Sequence, residues 1–523
     1  MLSCLNGSGT MYMSQRLRQS VIMSVTTGTL ILVPAICPIN TIVDLPFVSS
    51  VVSAKVATYT GVGEDYANQY ESQEMAKQRA RAKAIKQATE QAGVYLQTYS
   101  KSINATLTAD EISAITSNSY QLIGEPEYEQ IIRPETNNIT IIIWKATVKV
   151  NVDDAEVRSW INRDAQNKAT LINQNNASQR AAKANERRIA LLNKRAQSVT
   201  SDSERTAIRA EYEQADNEFL AIQKLDEGNK LAYQQNYQGA ASKYDEAIQL
   251  NPQYADAYNN RGIVYKKLQQ YELAIADLNK ALSFDPKMAE AYVNLGSLYS
   301  DLQDYTQAIN NYNKAINLQP HHVNAYYNRG NTYHRMQNYA AAITDFTKVI
   351  ELNPNYIEAY NNRGNVYADL GKQNEAIADF NEAISLNPNS SIIYNNRGTS
   401  YYELGQYEQA IADYTKAIEL DSKYIEAYYN RGLAYAKVQN YNAAIADYTK
   451  AIGFDPNYTE AYTYRGLAYI SIGNLDRALQ DANKVIEIKP NDGASYILRG
   501  LVYKYMSDTA RSEADFAKAR QLG

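Results

Sequence analysis

The sequence predicts a mainly α protein: an α-solenoid of nine helix-hairpin repeats, preceded by a small α/β domain and a helical linker. Three observations carry this prediction. Glycine recurs every 34 residues without insertion, at Gly228, Gly262, Gly296, Gly330, Gly364, Gly398, Gly432, Gly466 and Gly500, a regularity that local composition cannot produce. Proline closes most units, at Pro252, Pro286, Pro320, Pro354, Pro388, Pro456 and Pro490, with Ser422 the departure; it cannot continue a helix, so each unit ends there. Apolar residues recur at helical spacing: after Pro354 a first helix carries Ala359, Tyr360, Gly364 and Tyr367, and a second carries Ala376, Ile377, Phe380, Ala383 and Ile384. One hairpin cannot bury both its faces, so neighbouring hairpins must stack.

Composition narrows the function. The chain of 523 residues exceeds what one core usually serves. Its net charge is −5 with basic and acidic residues mixed throughout, which argues against a nucleic-acid partner needing a concentrated basic face. The 45 tyrosines, against 7 Phe and 2 Trp, fall mostly at fixed repeat positions and are a property of the repeat. Cys4 and Cys37 lie near the start, and the histidines are His321, His322 and His334. Disulfide frameworks, Cys/His metal sites and Cys nucleophiles are therefore not expected beyond the first segment, nor is any cofactor. His321 and His322 read as a polar turn after Pro320.

Residues 1–54 read as a signal peptide or membrane anchor. Arg16 and Arg18 precede an uncharged apolar run, Val21 to Ile36, shorter than the roughly 20 residues of a spanning helix. Small-residue patterns follow at Val33-Pro-Ala35 and Val52-Ser-Ala54, and cleavage after Ala54 is preferred because domain patterning starts directly afterwards. Pro34-Ala-Ile-Cys37 has a bulky Ile where a lipidation signal wants a small residue. Cleaved or retained, the segment implies an exported protein of the periplasm or cell envelope, with membrane association possible through this end.

The region 55–162 changes periodicity as a small α/β domain would. Thr58-Tyr-Thr-Gly-Val-Gly63 is a strand candidate, and residues 72–98 a helix with Met75, Ala76, Ala80, Ala84, Ala88 and Ala92 on one stripe. Lys77, Arg79, Arg81, Lys83 and Lys86 occupy its other sides and read as a solvated face. Asp110-Glu-Ile-Ser begins a shorter helix, and Ile139 to Val152 is the clearest strand, rich in β-branched residues. Gly61-x-Gly63 is a weak phosphate-loop signal, since no third glycine opens the following helix. The words Ala76-Lys-Gln-Arg-Ala-Arg-Ala-Lys-Ala, Glu90-Gln-Ala-Gly-Val-Tyr-Leu, Leu107-Thr-Ala-Asp-Glu-Ile and Ala146-Thr-Val-Lys-Val resemble the N-terminal domain of flagellar assembly protein T and its lipoprotein relatives. That resemblance implies an exported, non-catalytic envelope domain and no active-site residue.

Residues 163–220, rich in Ala, Gln, Asn, Arg and Glu, read as two long helices forming a coiled-coil hairpin, with a break near Ser198 to Ser203 where Ser201 and Glu204 have capping-box spacing. Their apolar positions are sparse, so the pair is expected to be the least stable ordered part and to hold the small domain away from the array.

Residues 221–523 hold the nine repeats. Their glycines, the small Ala from Ala240 through Ala478 with Ser512 in the ninth unit, and the prolines resemble the tetratricopeptide repeat. Tyr258, Tyr292, Tyr326, Tyr360, Tyr394, Tyr428, Tyr462 and Tyr496 stand where that family usually has Trp. The resemblance implies a right-handed superhelix whose concave face binds partner proteins, with no catalytic chemistry.

Comparison of the copies assigns their remaining positions. Immediately before the Gly stand Arg261, Arg329, Arg363, Arg397, Arg431, Arg465 and Arg499; fifteen residues after it stand Asp277, Asp345, Asp379, Asp413, Asp447, Asp481 and Asp515. The third copy has Leu295 and Asn311, losing both charges, while the first has Glu227 and Lys243 with signs exchanged. Joint loss and joint reversal predict a structural ion pair between the two helices of a unit, though a pair shared with the next unit is also possible.

Two residues before the Gly runs a second ladder: Asn260, Asn294, Asn328, Asn362, Asn396 and Asn430, then Tyr464 and Leu498. An amide offers a donor and an acceptor side by side, matching the groups of a peptide main chain. The ladder resembles the asparagine ladder of the O-linked N-acetylglucosamine transferase superhelix, which implies peptide binding in the groove. Bonding of each Asn to the adjacent unit is the equally open reading. Lys224, Gly228 and Asn229 only partly match a carboxylate clamp. Asp256, Glu290, Glu358, Glu426 and Glu460 form a further row, read as a solvated face that would favour basic or neutral segments if it borders the groove. The expected function is a non-enzymatic scaffold binding extended segments of other proteins; the alternative is a structural spacer or self-associating envelope component.

Overall fold

A computed structural model describes residues 56–67, 72–102, 107–134, 140–153, 155–161 and 165–522. The predicted signal or anchor, 1–54, lies outside the described residues. The small domain is a four-stranded antiparallel sheet with a long helix across it. Its elements are β1 (Val56–Ala67), α1 (Gln73–Ser102), α2 (Ala109–Ser119), β2 (Gln121–Leu122), β3 (Glu127–Pro134), β4 (Thr140–Asp153) and α3 (Ala155–Ile161). Strand β4 is central: β1 pairs along one edge, Val56 opposite Asp153 and Ala67 opposite Ile142, and β2 and β3 pair along the other. The charged words of β3 hide it as an edge strand, and sequence periodicity misses it.

The alanine stripe explains how α1 meets the sheet. Ala76, Ala80, Ala84, Ala88 and Ala92 are all fully buried, and their small size lets the helix backbone approach β1. A Cβ on Gly61 would lie 1.9 Å from the Ala84 carbonyl oxygen, and one on Gly63 would lie 2.2 Å from that of Ala80. Gly61-x-Gly63 is thus a helix-on-strand contact, and the space a phosphate would need is filled by α1.

Helices α4 (Ala165–Ala196) and α5 (Asp202–Tyr233) follow as an antiparallel pair. Ser201 caps α5 by accepting from the Glu204 amide at 3.3 Å. The expected separation of small domain and array is overturned. Helix α5 runs unbroken into the first repeat, and Tyr233 at its end sits in one core with Leu96, Ile115, Val157 and Trp160 of the small domain. Tyr233 Oη donates to Glu156 at 2.7 Å, and Lys230 donates to the Tyr120 carbonyl while lying 4.0 Å over that ring. Arg79, 4% exposed, joins Asp65 at 3.3 Å to Asp216 of α5 at 3.1 Å. The physical reason is apolar area: the large side chains at this end of the small domain need cover, and α5 supplies it.

The repeats are nine helix pairs, numbered here 1 to 9 by their glycines. The first pair is α5 with Tyr237–Leu250, the sixth is Ser391–Glu403 with Tyr407–Leu420, and the ninth is Gly493–Tyr505 with Thr509–Leu522. The turn inside each pair needs a left-handed residue, filled by Gly371, Gly405 and Gly473 at φ 72° to 77° and by Gln or Ser elsewhere. The register glycines have a different task, close approach. A Cβ at Gly398 would lie 2.9 Å from the Tyr414 ring of the second helix, and similar contacts meet Tyr312, Phe346, Phe380, Tyr448 and Phe516 in their own repeats. In repeat 8 the facing residue is Ala482, and a Cβ at Gly466 would find its nearest neighbour, Leu498 Cδ2, at 3.4 Å. Among the described residues, no helix is long and apolar enough to cross a membrane.

Two outcomes follow from this packing. Gly398→Ala should lower stability by about 1 to 3 kcal/mol through overpacking, whereas Gly466→Ala should be neutral or stabilise by up to about 1 kcal/mol of helix propensity; thermal denaturation of the two variants checks the contrast. Burial pushes the Asp216 carboxyl up from 3.8 to about 6, with Asp65 adding to the rise and Arg79 opposing it. The folded protein then holds a proton that the unfolded chain has lost between about pH 4 and 6, so stability should fall as pH rises through that window, by roughly 2 to 3 kcal/mol in all. Urea unfolding followed by Trp144 and Trp160 fluorescence should show this slope, flattened in Asp216→Asn.

Candidate functional site

First helices of successive repeats touch one another across each boundary, so they form the inner face of the array, while each second helix packs between two first helices. Behind that inner face lies a layer of arginines. All seven form a two-pronged ion pair with the Asp of their own repeat, Arg397 Nε and Nη2 meeting Asp413 at 2.7 Å each, and Arg261, Arg329, Arg363, Arg431, Arg465 and Arg499 meeting Asp277, Asp345, Asp379, Asp447, Asp481 and Asp515 at 2.7 to 2.9 Å.

The remaining Nη1 reaches back to the second helix of the preceding repeat. Arg363 bonds Thr347 at 2.9 Å, Arg397 bonds Asn381 at 2.6 Å, and Arg431 and Arg465 bond Thr415 and Thr449 at 3.0 Å. Arg261 meets Asp245 and Arg329 meets Asn313 in the same way. Six of the seven guanidiniums are also flanked by two tyrosines of their own helix, Tyr394 at 5.5 Å and Tyr401 at 5.8 Å for Arg397, and Arg363 lies 5.9 Å from the Tyr360 ring. These arginines thus tie three helices together, and nothing in their bonding is directed at a ligand. Burial raises the Asp345 and Asp481 carboxyls even against their arginines, as expected for a charge taken out of water.

The exceptional copies have their own solutions. In repeat 3 Leu295 is buried and Asn311 turns to the Gln307 carbonyl at 2.8 Å. In repeat 1 Lys243 meets Glu227 at 3.3 Å inside a cluster with Lys224 and Glu246. Lys224 is therefore engaged with carboxylates of its own fold, and Asn229 Oδ1 accepts from Tyr244 and Asn260 at 2.9 Å each.

The asparagine ladder is bonded between repeats. Asn260 donates to Asn229 at 2.9 Å, Asn294 to Asn259 at 2.9 Å, Asn362 to Asn331 at 2.8 Å, Asn396 to Asn361 at 3.0 Å and Asn430 to Asn395 at 3.1 Å. Asn328 is 7% exposed, and its Nδ2 has no hydrogen-bond partner among the described residues. Of the two readings left open, bonding to the adjacent unit is seen for the donors of five of the six: stacking sets these amides beside an amide of the preceding repeat. Among the described residues, the Oδ1 atoms of Asn294, Asn396 and Asn430 receive no bond, so acceptors remain on this face. The partner columns, Asn259, Asn361 and Asn395 before the Gly and Asn229 and Asn331 after it, escaped the sequence reading; the same comparison of copies, extended by one column on each side, would have found them.

The carboxylate row divides. Asp256 and Glu290 are half-buried, while Glu426 and Glu460 are exposed. Near the start of the array α4 closes on the first helices: Lys168, Ile172 and Asn173 face Glu290, His322 and Tyr356 across a cleft of about 390 Å³. His322 Nδ1 caps its helix by accepting from the Ala325 amide at 3.3 Å, and His334 Nε2 meets Asp369 at 2.7 Å.

Comparison with known proteins gives the class. Family profiles described as TPR repeat match residues 228–269, 296–337, 364–405 and 398–439, and profiles described as tetratricopeptide repeat match 255–288, 323–356, 346–378, 425–458 and 459–492. The repeats are tetratricopeptide repeats. The structure of MamA is 29% identical and covers 32% of this chain and 92% of its own, with a TM-score of 0.31. That of YrrB, a TPR protein with an unusual peptide-binding site, is 26% identical and covers 35% and 95%, with a TM-score of 0.31. A tetratricopeptide repeat protein from Parabacteroides merdae is 25% identical and covers 47% and 98%, with a TM-score of 0.38. No curated protein matches the sequence significantly.

The arginine layer yields a double-mutant test. Asp413→Ala alone strands a half-buried guanidinium and should cost up to about 3 to 5 kcal/mol. Removing the charge as well, in Asp413→Ala with Arg397→Met, should cost less, and equal shifts in denaturation midpoint would refute a coupled pair.

Proposed function

We propose that this protein is a non-enzymatic scaffold of the bacterial cell envelope that holds an extended polypeptide segment along the inner face of its repeats. The observation that carries this reading is the continuous surface of stacked first helices, on which unbonded amide oxygens recur at one position in Asn294, Asn396 and Asn430. Acceptors set at a fixed repeat can take main-chain N–H donors of an extended segment with little regard to its side chains. The tetratricopeptide family supports protein binding as the class of activity.

Placement in the envelope rests on the export-like segment and on the small domain's resemblance to an envelope domain. The small domain and α4 pack onto the start of the array, so this reading has them fix the array in place and leave the middle and later repeats to the partner.

Photo-crosslinking tests the groove. A benzophenone side chain replacing Asn365, one residue after the repeat 5 glycine on the inner face, should capture polypeptide from envelope extract. The same group replacing Glu382, exposed on the second helix of that repeat, should not. Equal capture from both positions, or none from either, would count against the groove.

A further inference from the structure

One tyrosine differs from two others that hold the same place in their repeats. In those two, packed under the register glycine, the hydroxyl has a partner one place after that glycine: Tyr244 bonds Asn229 at 2.9 Å, and Tyr414 bonds Thr399 at 3.2 Å. In repeat 7 that place is Leu433. Tyr448 is fully buried, and its Oη has no hydrogen-bond partner among the described residues. A buried hydroxyl left without a partner is destabilising, since it has given up water and gained nothing in return.

The surroundings of this hydroxyl are unlike the rest of the inner face. Here the asparagine ladder ends, and Tyr464 takes its place. Tyr464 lies 6.4 Å from the Tyr448 ring and 5.8 Å from Tyr429, edge to face, and remains 40% exposed. Tyr429 in turn touches Tyr448 at 6.1 Å and Tyr458 at 5.1 Å. The exposed ring is therefore the outermost member of an aromatic cluster that includes the ring bearing the unsatisfied hydroxyl.

The charge around the cluster has one dominant sign. Burial first, and then Glu426, Glu460 and Asp455, push the Tyr458 phenol up, and burial with the neighbouring tyrosines and Glu460 does the same for Tyr429. Glu460 is partly compensated by Lys489 at 3.2 Å, while Glu426 is exposed and forms no ion pair among the described residues. Arg431, nearest in sequence, is committed to Asp447 in the layer behind. Aromatic faces rimmed by carboxylates attract a cation, and a phenolic oxygen accepts its N–H.

We propose that Tyr464, Tyr429 and the Tyr448 hydroxyl, with Glu426 and Glu460 at the rim, form a subsite of repeats 7 and 8 for a cationic side chain, arginine or lysine, of the bound segment. This deepens the groove reading and rests on it. The guanidinium or ammonium lies on the Tyr464 ring, displaces it enough to reach Tyr448 Oη, and is balanced by Glu426. The free amide oxygens of Asn294, Asn396 and Asn430 then meet main chain, and the aromatic cluster of repeats 7 and 8 selects a side chain.

The test uses the full chain and fluorescein-labelled twelve-residue Gly/Ser peptides carrying two Arg, two Lys, two Ala or two Glu, read by anisotropy at low ionic strength. The Arg and Lys peptides should bind at least about tenfold tighter than the Ala and Glu peptides. Tyr464→Asn, which restores the residue other repeats carry, should weaken the Arg peptide about fivefold with the fold retained. Tyr448→Phe removes no internal hydrogen bond, so it should weaken the Arg peptide while leaving the melting temperature unchanged or raised.

Peptides that bind regardless of charge would overturn this subsite and leave the groove standing. So would an Arg affinity untouched by both variants, or a loss on Tyr464→Asn that is equal for the Ala peptide. No peptide binding alongside capture at Asn365 would also overturn the subsite alone, whereas failure of both assays would remove the groove with it.

Discussion

The array depends on an arginine, present in seven of the nine repeats, that is held by three helices at once. A guanidinium presents five donors in a rigid plane; here two prongs lock the helices of one hairpin through Asp, and a third fixes the hairpin to the one before it. The same planar group lies between two tyrosines, so its desolvation is offset by contacts on its edges and its faces. Because the group is bound in all these directions, the repeat has little freedom to change its crossing angle. The path of the inner face, and hence the spacing of everything on it, follows from this joint.

Two further constraints complete the joint. Glycine admits the aromatic ring of the second helix at a separation that a Cβ would forbid, and five of the six ladder amides tie their repeat to the one before. The three devices act at different depths, with the aromatic ring in the core, the arginine in a half-buried layer and the amides at the inner surface. Repeat 8 relaxes the first and loses the last, since Ala482 leaves room under Gly466 and Tyr464 replaces Asn. The surface chemistry changes in that same region.

Much of this was legible because the chain carries nine experiments on one unit. The pairing of Arg397 with Asp413 could be read from copies that lose or reverse both charges, since both partners sit at fixed places within a single repeat. The alanine stripe of α1 and the β-branched run of β4 were legible through periodicity alone. Strand β3 was not, because Glu127-Tyr-Glu-Gln at a sheet edge carries no apolar alternation. The docking of the small domain was hidden for another reason: Tyr233 and Asp216 look like ordinary residues of a repeat and a linker, and only their neighbours across α1 and α3 reveal their role.

The sequence by itself determined the period, the hairpins, the residues of the core and the ion pairs, because each of these is a relation between residues within about 34 positions of one another. The tertiary structure decided what each asparagine bonds to, that Tyr448 lacks a partner, and that the small domain seals the start of the array. Those facts depend on how far one repeat is turned relative to the next and on which apolar surfaces find cover. Both are set by the packing of whole elements against each other and have no signature in any single stretch of chain.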